Sequence, residues 1–131
     1  MSTLSVGTIQ SNTTSPPTIN NSAGTAIGTF CRAWVNFNAS SGTPTISASF
    51  NVSSLGDNGL GNYTVNIDID MPDANYAAVA SSRSGATGTG NAYAAGVSDL
   101  AAGSFRISTT GDGSSASTLV DSAIVSAAVF R

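Results

Sequence analysis

Hydrophobic and polar residues alternate with a period of two through most of the chain after residue 30. The clearest stretch is 63–71, in which apolar side chains fill every second position and Thr, Asn and Asp lie between them. Such alternation is typical of a β-strand with one buried and one exposed face. The pattern predicts seven strands, at residues 30–37, 45–52, 63–71, 76–82, 91–97, 104–109 and 123–130.

Turn-forming residues separate the predicted strands. The segment 53–62 is rich in Ser and Gly, and its Asn58-Gly59 pair suits the positive φ angles of a tight turn. Segments 84–90 and 111–117 are also predicted loops. The spacing within 123–130 would suit a helix too, but its β-branched and aromatic residues favour a strand. Strands without intervening helices predict an all-β fold. The expected architecture is a compact antiparallel β-sandwich, which is either jelly-roll-like or a small barrel.

The first 29 residues have a different pattern. No side chain from Met1 to Cys31 is charged, and every aromatic residue lies at or beyond Phe30. Such a segment cannot bury enough apolar surface to fold alone. We therefore predict an extended arm over 1–29 that packs against a neighbouring chain, followed by a sandwich domain over 30–131. A disordered leader is the alternative. The aliphatic residues predicted to make the contacts are Leu4, Val6, Ile9, Ile19 and Ile27.

The composition excludes most enzyme chemistry. Charged residues make up 8% of the 131 residues, against roughly 25% in an average globular protein. All the acids are Asp, all the bases are Arg, and the chain contains no His, Lys or Glu. A Ser-His-Asp triad, a Cys–His pair, an imidazole metal ligand, a lysine Schiff base and a P-loop are therefore excluded. We predict no catalytic residue and no cofactor.

Charge and hydropathy also limit the partners. Four scattered Arg and a net charge of −3 argue against nucleic-acid binding, which needs clustered basic residues. No apolar run approaches the roughly 20 residues that span a bilayer, so no membrane insertion is expected. The N-terminus has neither the basic nor the apolar region of a signal peptide, which predicts no secretory leader. The single cysteine, Cys31, is interpreted as a small core residue, although pairing between chains is the alternative.

One acidic cluster has the spacing of a metal site. Asp68, Asp70 and Asp73 lie close together in the sequence, and carboxylates at i and i+2 share one face of a strand. However, Ca²⁺ takes six to eight oxygen ligands, and only three carboxylates are local. We favour the interpretation that these side chains form the solvent face of an amphipathic strand, and we predict no metal.

Two aromatic residues are candidates for surface recognition. Trp34 falls on the polar face of its predicted strand, where it would stack on a sugar or form an interface. The favoured alternative is that a second layer or a neighbouring subunit buries it, because central strands are often covered on both faces. Tyr93 is the second candidate, acting together with segment 56–62, which contains Asn and Asp, and segment 84–91, which ends in Asn91.

Several strings are specific enough to suggest a family. They are TIQSNTTSPPTI at 8–19, CRAWVNFN at 31–38, SFNVSS at 49–54, NYTVN at 62–66, MPDANY at 71–76 and AVFR at 128–131. Together they resemble a family of short structural proteins of marine tailed phages, chiefly cyanobacterial phages, described as tail-fibre-like or virion structural proteins. The resemblance is strongest over residues 1–76 and implies a non-enzymatic, homotrimeric component of the virion.

The sequence therefore supports one leading hypothesis and two alternatives. The leading hypothesis is a homotrimeric tail-fibre or appendage module that contacts other virion proteins. The closest alternative is a capsid decoration or head-fibre protein whose arm docks on the shell. An alternative of another class is a lectin-like module that binds host glycan through Trp34 and Tyr93. A secreted adhesin is disfavoured because no signal peptide is evident.

Overall fold

A computed structural model describes residues 3–12, 16–85, 92–111 and 118–131. The chain divides into two units, Met1–Phe30 and Cys31–Arg131. No helix occurs among the described residues, and every strand pairing is antiparallel. The predicted all-β class is therefore confirmed.

The first unit contains a small hairpin. Strands β1 (Ile19–Asn20) and β2 (Ala26–Gly28) pair so that Ile19 lies opposite Gly28. The turn between them is closed by Asn21, whose Oδ1 accepts the backbone N–H groups of Ala23 and Thr25 at 3.0 and 2.9 Å. The side chain of an asparagine often replaces backbone partners in this way. The arm, predicted to be only extended, thus includes one local turn structure.

The second unit is one eight-stranded, nearly closed, barrel-like sheet. The order of strands across the sheet is β4-β3-β10-β7-β8-β9-β6-β5. Strands β4 and β5 are thus consecutive in sequence but lie at opposite ends of this order. The strands are β3 (Cys31–Asn38), β4 (Thr45–Phe50), β5 (Val52–Asp57), β6 (Asn62–Ile67), β7 (Ala77–Arg83), β8 (Ala92–Ala101), β9 (Ser104–Thr110) and β10 (Ile124–Phe130).

The core fills the inside of the curved sheet. Alternate residues of β3, β6, β9 and β10 are buried there, as the period-two pattern requires. Phe37 and Tyr63 meet edge to face with their ring centroids 5.1 Å apart, a favoured aromatic geometry. Tyr76 and Phe105 make a second such pair. All the residues of this core belong to the second unit.

Two strand predictions are wrong in their boundaries. The predicted strand 45–52 breaks at Asn51, which has a φ of 55°, and β5 occupies part of the segment 53–62 that was predicted to be a loop. The predicted strand 63–71 ends at Ile67 because the following backbone turns to other partners. The Met71 N–H, for example, donates to the carbonyl of Ala102 at 2.9 Å.

The other predicted elements agree more closely. The ambiguous segment 123–130 forms β10, a strand. The predicted strand 91–97 corresponds to β8, which continues to Ala101, although residue 91 itself lies outside the described residues. Most of the predicted loops 84–90 and 111–117 also lies outside them.

Candidate interaction surface on the outer face of the sheet

Four apolar side chains form a line across the outer face of the sheet. Phe50 of β4 lies opposite Trp34 of β3, Trp34 lies opposite Ala128 of β10, and Ala128 lies opposite Val79 of β7. Residues directly opposite in neighbouring strands share a face, so all four point the same way. We call Phe50, Trp34, Ala128 and Val79 the apolar row.

The apolar row points away from the core. On β3 the neighbours of Trp34, Ala33 and Val35, are each 1% exposed, whereas Trp34 itself is 40% exposed. Phe50 and Val79 are 55% and 58% exposed. The prediction that a second layer of the chain covers Trp34 is therefore wrong for the described residues, because this sheet curls around one core and Trp34 points away from it. Burial of Trp34 by a neighbouring subunit stays a prediction.

A β-bulge brings Phe50 into the row. The sequence pattern predicts that Ile46, Ala48 and Phe50 share one face of a strand. In the pairing with β3, however, Ile46 lies opposite Phe37 and Ala48 lies opposite Asn36, so that Ser47 is an extra residue. An extra residue reverses the facing of the residues beyond it. Ile46 therefore faces the core, while Ala48 and Phe50 face outward.

A neutral, more polar line runs beside the apolar row. It consists of Ala48, Asn36, Ser126 and Ser81, which lie opposite one another on the same four strands. The Asn36 side-chain amide donates to Ser126 Oγ at 2.8 Å. These side chains carry no charge, and this hydrogen bond joins β3 to β10 across the outer face. A shallow depression between β7 and β10 continues this surface and is lined by Val79, Ala80, Ser81, Ser126, Ala127 and Ala128.

The two terminal strands of the sheet differ in their exposed side chains. β4 has neutral residues throughout, and Ala48 and Phe50 are exposed on its outer face. Both strands contain a bulge, at Ser47 in β4 and between Val52 and Ser54 in β5, but only β5 carries a charge, the exposed carboxylate of Asp57. A charged side chain discourages a further strand from pairing with a sheet edge. The β4 edge is therefore the more receptive of the two.

Asn51 holds the corner where β4 passes into β5. Its side-chain amide donates to the carbonyls of Arg32 and Ile69 at 3.0 and 3.1 Å, and its Oδ1 accepts the Ile69 N–H at 2.7 Å. Asparagine adopts a positive φ more readily than most residues, which suits the φ of 55° here. The corner at the end of the apolar row is thus fixed to β3 and to the connection after β6.

The three carboxylates of the acidic cluster do not gather at one place in the described structure. Asp68, Asp70 and Asp73 follow the end of β6, so the prediction that Asp68 and Asp70 share a strand face is wrong. Asp73 pairs with the Arg131 guanidinium and also accepts the N–H of Asn75 at 2.7 Å. Over the described ranges 3–12, 16–85, 92–111 and 118–131, no three Asp, Cys, Glu or His side chains gather in a metal-binding group.

A buried tyrosine–aspartate pair was not predicted from the sequence. Tyr63 has no exposed surface, and its hydroxyl donates to Asp121 Oδ1 at 2.6 Å. The same oxygen accepts the Gly61 N–H at 2.8 Å. Burial raises the pKa of Tyr63, and the hydrogen bond and negative charge of Asp121 raise it further. The Tyr63 phenol therefore stays protonated and keeps its hydrogen bond to the Asp121 side chain, which anchors the segment before β10. The one sign of this pair in the sequence is that Asp121 lies within an otherwise uncharged stretch.

The remaining recognition candidates do not meet Trp34. Tyr93 lies opposite Ser82, which is 7% exposed, so Tyr93 is on the inner side of the sheet. Of the segment 84–91, only residues 84 and 85 are described. Cys31 is half-buried, and its Sγ donates a hydrogen bond to the Ala33 carbonyl at 3.2 Å. Trp34 instead has Phe50 as its aromatic neighbour, which the sequence pattern does not single out.

The aliphatic residues of the arm are exposed in the single chain. The exposed fraction of their side chains falls between 42% for Ile19 and 80% for Leu4. Isolated exposed aliphatic residues are common, but here they are the Leu, Val and Ile side chains of a segment that has no charged side chain. The residues concerned are Leu4, Val6, Ile9, Ile19 and Ile27.

Comparisons with family models, curated proteins and solved structures found no match for this chain. In the portion of the chain that is described, no helical segment has the length and apolar character needed to cross a bilayer. The function must therefore be argued from the geometry of the arm and the outer face.

Proposed function

We propose that this chain is a non-enzymatic structural protein of a virion and acts as a homotrimeric tail-fibre or appendage module. The observation that carries the proposal is the exposure of the arm aliphatics, with Leu4, Val6 and Ile9 at 80%, 53% and 63%. The arm has no charged side chains, which water would solvate strongly. Contact with another chain is therefore the natural way to bury its aliphatic groups.

Two further features support a structural role. The apolar row is an uncovered strip on the outer face, and extended exposed apolar surfaces commonly mark interaction sites. The chain also lacks His and Lys, the side chains that most often activate a serine nucleophile. The virion context of the proposal comes from the resemblance of the sequence strings to phage structural proteins.

The test of this proposal is a comparison of the full chain with a chain lacking residues 1–28. We expect light scattering to report three times the 12.9 kDa chain mass for the full chain and a single-chain mass for the shortened one. The shortened chain should keep its cooperative thermal unfolding, because the core lies wholly in the second unit. A full chain that stays monomeric at micromolar concentration, or a shortened chain that still associates, would contradict the proposal.

The position on the particle separates the leading role from its closest alternative. A capsid decoration or head-fibre protein would be found with the heads after virions are split, whereas a tail-fibre or appendage module would be found with the tails. Immunolabelling of the two fractions with an antibody against the chain distinguishes them. We expect the label on the tails.

A glycan-binding module is the second candidate, and one observation favours it. Trp34 and Phe50 are neighbouring exposed rings, and Asn36 lies two residues along β3 on the same face. Aromatic rings with adjacent polar groups are suited to stacking on sugars. However, the Asn36 amide already donates to Ser126, and Tyr93 lies on the other side of the sheet. A glycan array with the full chain tests this function, and we expect no specific signal.

A further inference from the structure

We infer that the free edge of β4 receives residues 3–9 of a second copy of this chain as an added strand. This inference rests on the proposed function and names the surface that the arm contacts. β4 is a terminal strand whose other side pairs with β3. A strand at a sheet edge presents unpaired backbone groups to any extended segment that reaches it.

The side chains of β4 and the arm match in their spacing. Ala48 and Phe50 are two residues apart and both are exposed on the outer face of β4. Leu4 and Val6 are also two residues apart, so they would lie on one face of an extended strand. Opposite residues of paired strands have their Cβ atoms about 5 Å apart. Leu4 and Val6 would thus lie directly beside Ala48 and Phe50.

Most of the alternate positions of the two segments are small and polar, and Ile9, which ends the arm segment, is the exception. Thr3, Ser5 and Gly7 separate the arm aliphatics, and Ser47 and Ser49 are the corresponding exposed residues of β4. Neither segment contains a charged side chain. Pairing the two segments therefore removes no charged group from water. That desolvation is the main cost of burying an ionic surface.

The added strand would extend the apolar row. Phe50 is the end of that row and the member nearest the free edge. An aliphatic side chain placed beside Phe50 lengthens the row by one strand and covers part of the Phe50 ring. This geometry also explains why the bulge at Ser47 is useful, because without it Phe50 would face the core side.

Disulfide trapping between singly substituted chains tests the inference. In a Cys31→Ser background, a chain with Val6→Cys or Leu4→Cys is mixed with a chain carrying Ala48→Cys and is oxidised with copper–phenanthroline. Opposite residues of adjacent strands come close enough for a disulfide. Ser5→Cys is the matched control, because its side chain would lie on the other face of the added strand.

We expect a linked dimer of the two chain types with Val6→Cys or Leu4→Cys and at least about tenfold less with Ser5→Cys. Equal linking from Ser5→Cys, or none from any variant, overturns the inference. The proposed function would survive that result if the unsubstituted chain still had a trimeric mass. A chain carrying both Val6→Cys and Ala48→Cys that links only within a monomer also overturns it.

The fluorescence of Trp34 gives an independent measurement. Trp34 is the only tryptophan, and it lies opposite Phe50. We expect its emission to move to shorter wavelength as the full chain associates. Val6→Asp should raise the concentration of half-association by at least about tenfold, and Ser5→Asp should raise it much less. Equal effects of the two substitutions, or a shift caused by added neutral oligosaccharide and not by association, contradict the inference.

Discussion

Asn51 and Ile69 are joined by a reciprocal pair of hydrogen bonds. The Ile69 N–H donates to Asn51 Oδ1 at 2.7 Å, and the Asn51 side-chain amide donates to the Ile69 carbonyl at 3.1 Å. A carboxamide offers the same donor and acceptor as a peptide unit, so it pairs with backbone as a neighbouring strand would. The Asp68 N–H adds a contact to the Asn51 carbonyl at 3.2 Å. One residue thus fixes the corner of the sheet.

We expect Asn51→Gly and Asn51→Ala to separate the two roles of this corner. Glycine keeps the positive φ but loses the three side-chain hydrogen bonds, each contributing about 0.5–1.5 kcal/mol. Alanine loses the same bonds and adds about 1–2 kcal/mol of backbone strain. Urea unfolding should therefore rank the wild type above Gly and Gly above Ala. A glycine variant as stable as the wild type would show that the amide contributes nothing.

Gly61→Ala should be one of the most damaging single substitutions in the sheet. A Cβ at this position would lie 2.6 Å from both the Thr109 carbonyl oxygen and the Val120 nitrogen, which are backbone atoms that cannot easily move. We expect a loss of about 3 kcal/mol or more in the free energy of unfolding. Gly42→Ala is the matched control, because it also has a positive φ but open space around its Cβ. Equal losses for the two variants would contradict this account.

The stability of the protein should fall at alkaline pH because of its buried tyrosines. Burial raises the pKa of both Tyr63 and Tyr76 above the ordinary value of 10.0. Their contribution to stability is complete below pH 10 and is lost as the pH rises toward the folded-state pKa, because the unfolded state releases the protons first. Each tyrosine contributes a slope of up to about 1.4 kcal/mol per pH unit.

Chemical denaturation at several pH values above 10 measures this slope, and Tyr63→Phe should reduce it. At neutral pH the same substitution should lower the free energy of unfolding by about 1.5–3 kcal/mol, since Asp121 loses the hydroxyl donor. An unchanged alkaline slope in Tyr63→Phe would contradict the assignment.

Chelation should leave thermal stability unchanged. Asp73 is engaged by Arg131 and by the N–H of Asn75, and the Asp70 carboxylate lies over Gly103, where a Cβ would come within 2.8 Å of its Oδ1. Neither arrangement leaves a set of oxygens that converge on an ion, and Ca²⁺ takes six to eight. Thermal unfolding with and without EDTA is the measurement. A fall of several degrees with EDTA would restore Asp68, Asp70 and Asp73 as ligands.

The sequence by itself determined the class of fold and the inward positions of the main strands. Alternation is a local property, so the buried side chains of β3 and β6, such as Val35 and Val65, follow from the spacing alone. The neutral, aromatic-free character of the arm could be read in the same way.

Only the tertiary structure decided the candidate surface. The apolar row depends on pairings between residues far apart in sequence, such as Trp34 with Ala128, and on one extra residue in β4. The Tyr63–Asp121 contact joins residues 58 positions apart. Strand order and register are set by the best burial available to the whole sheet, and a single bulge reverses every side chain after it. A period-two pattern holds no information about either, because it is the same for every partner strand.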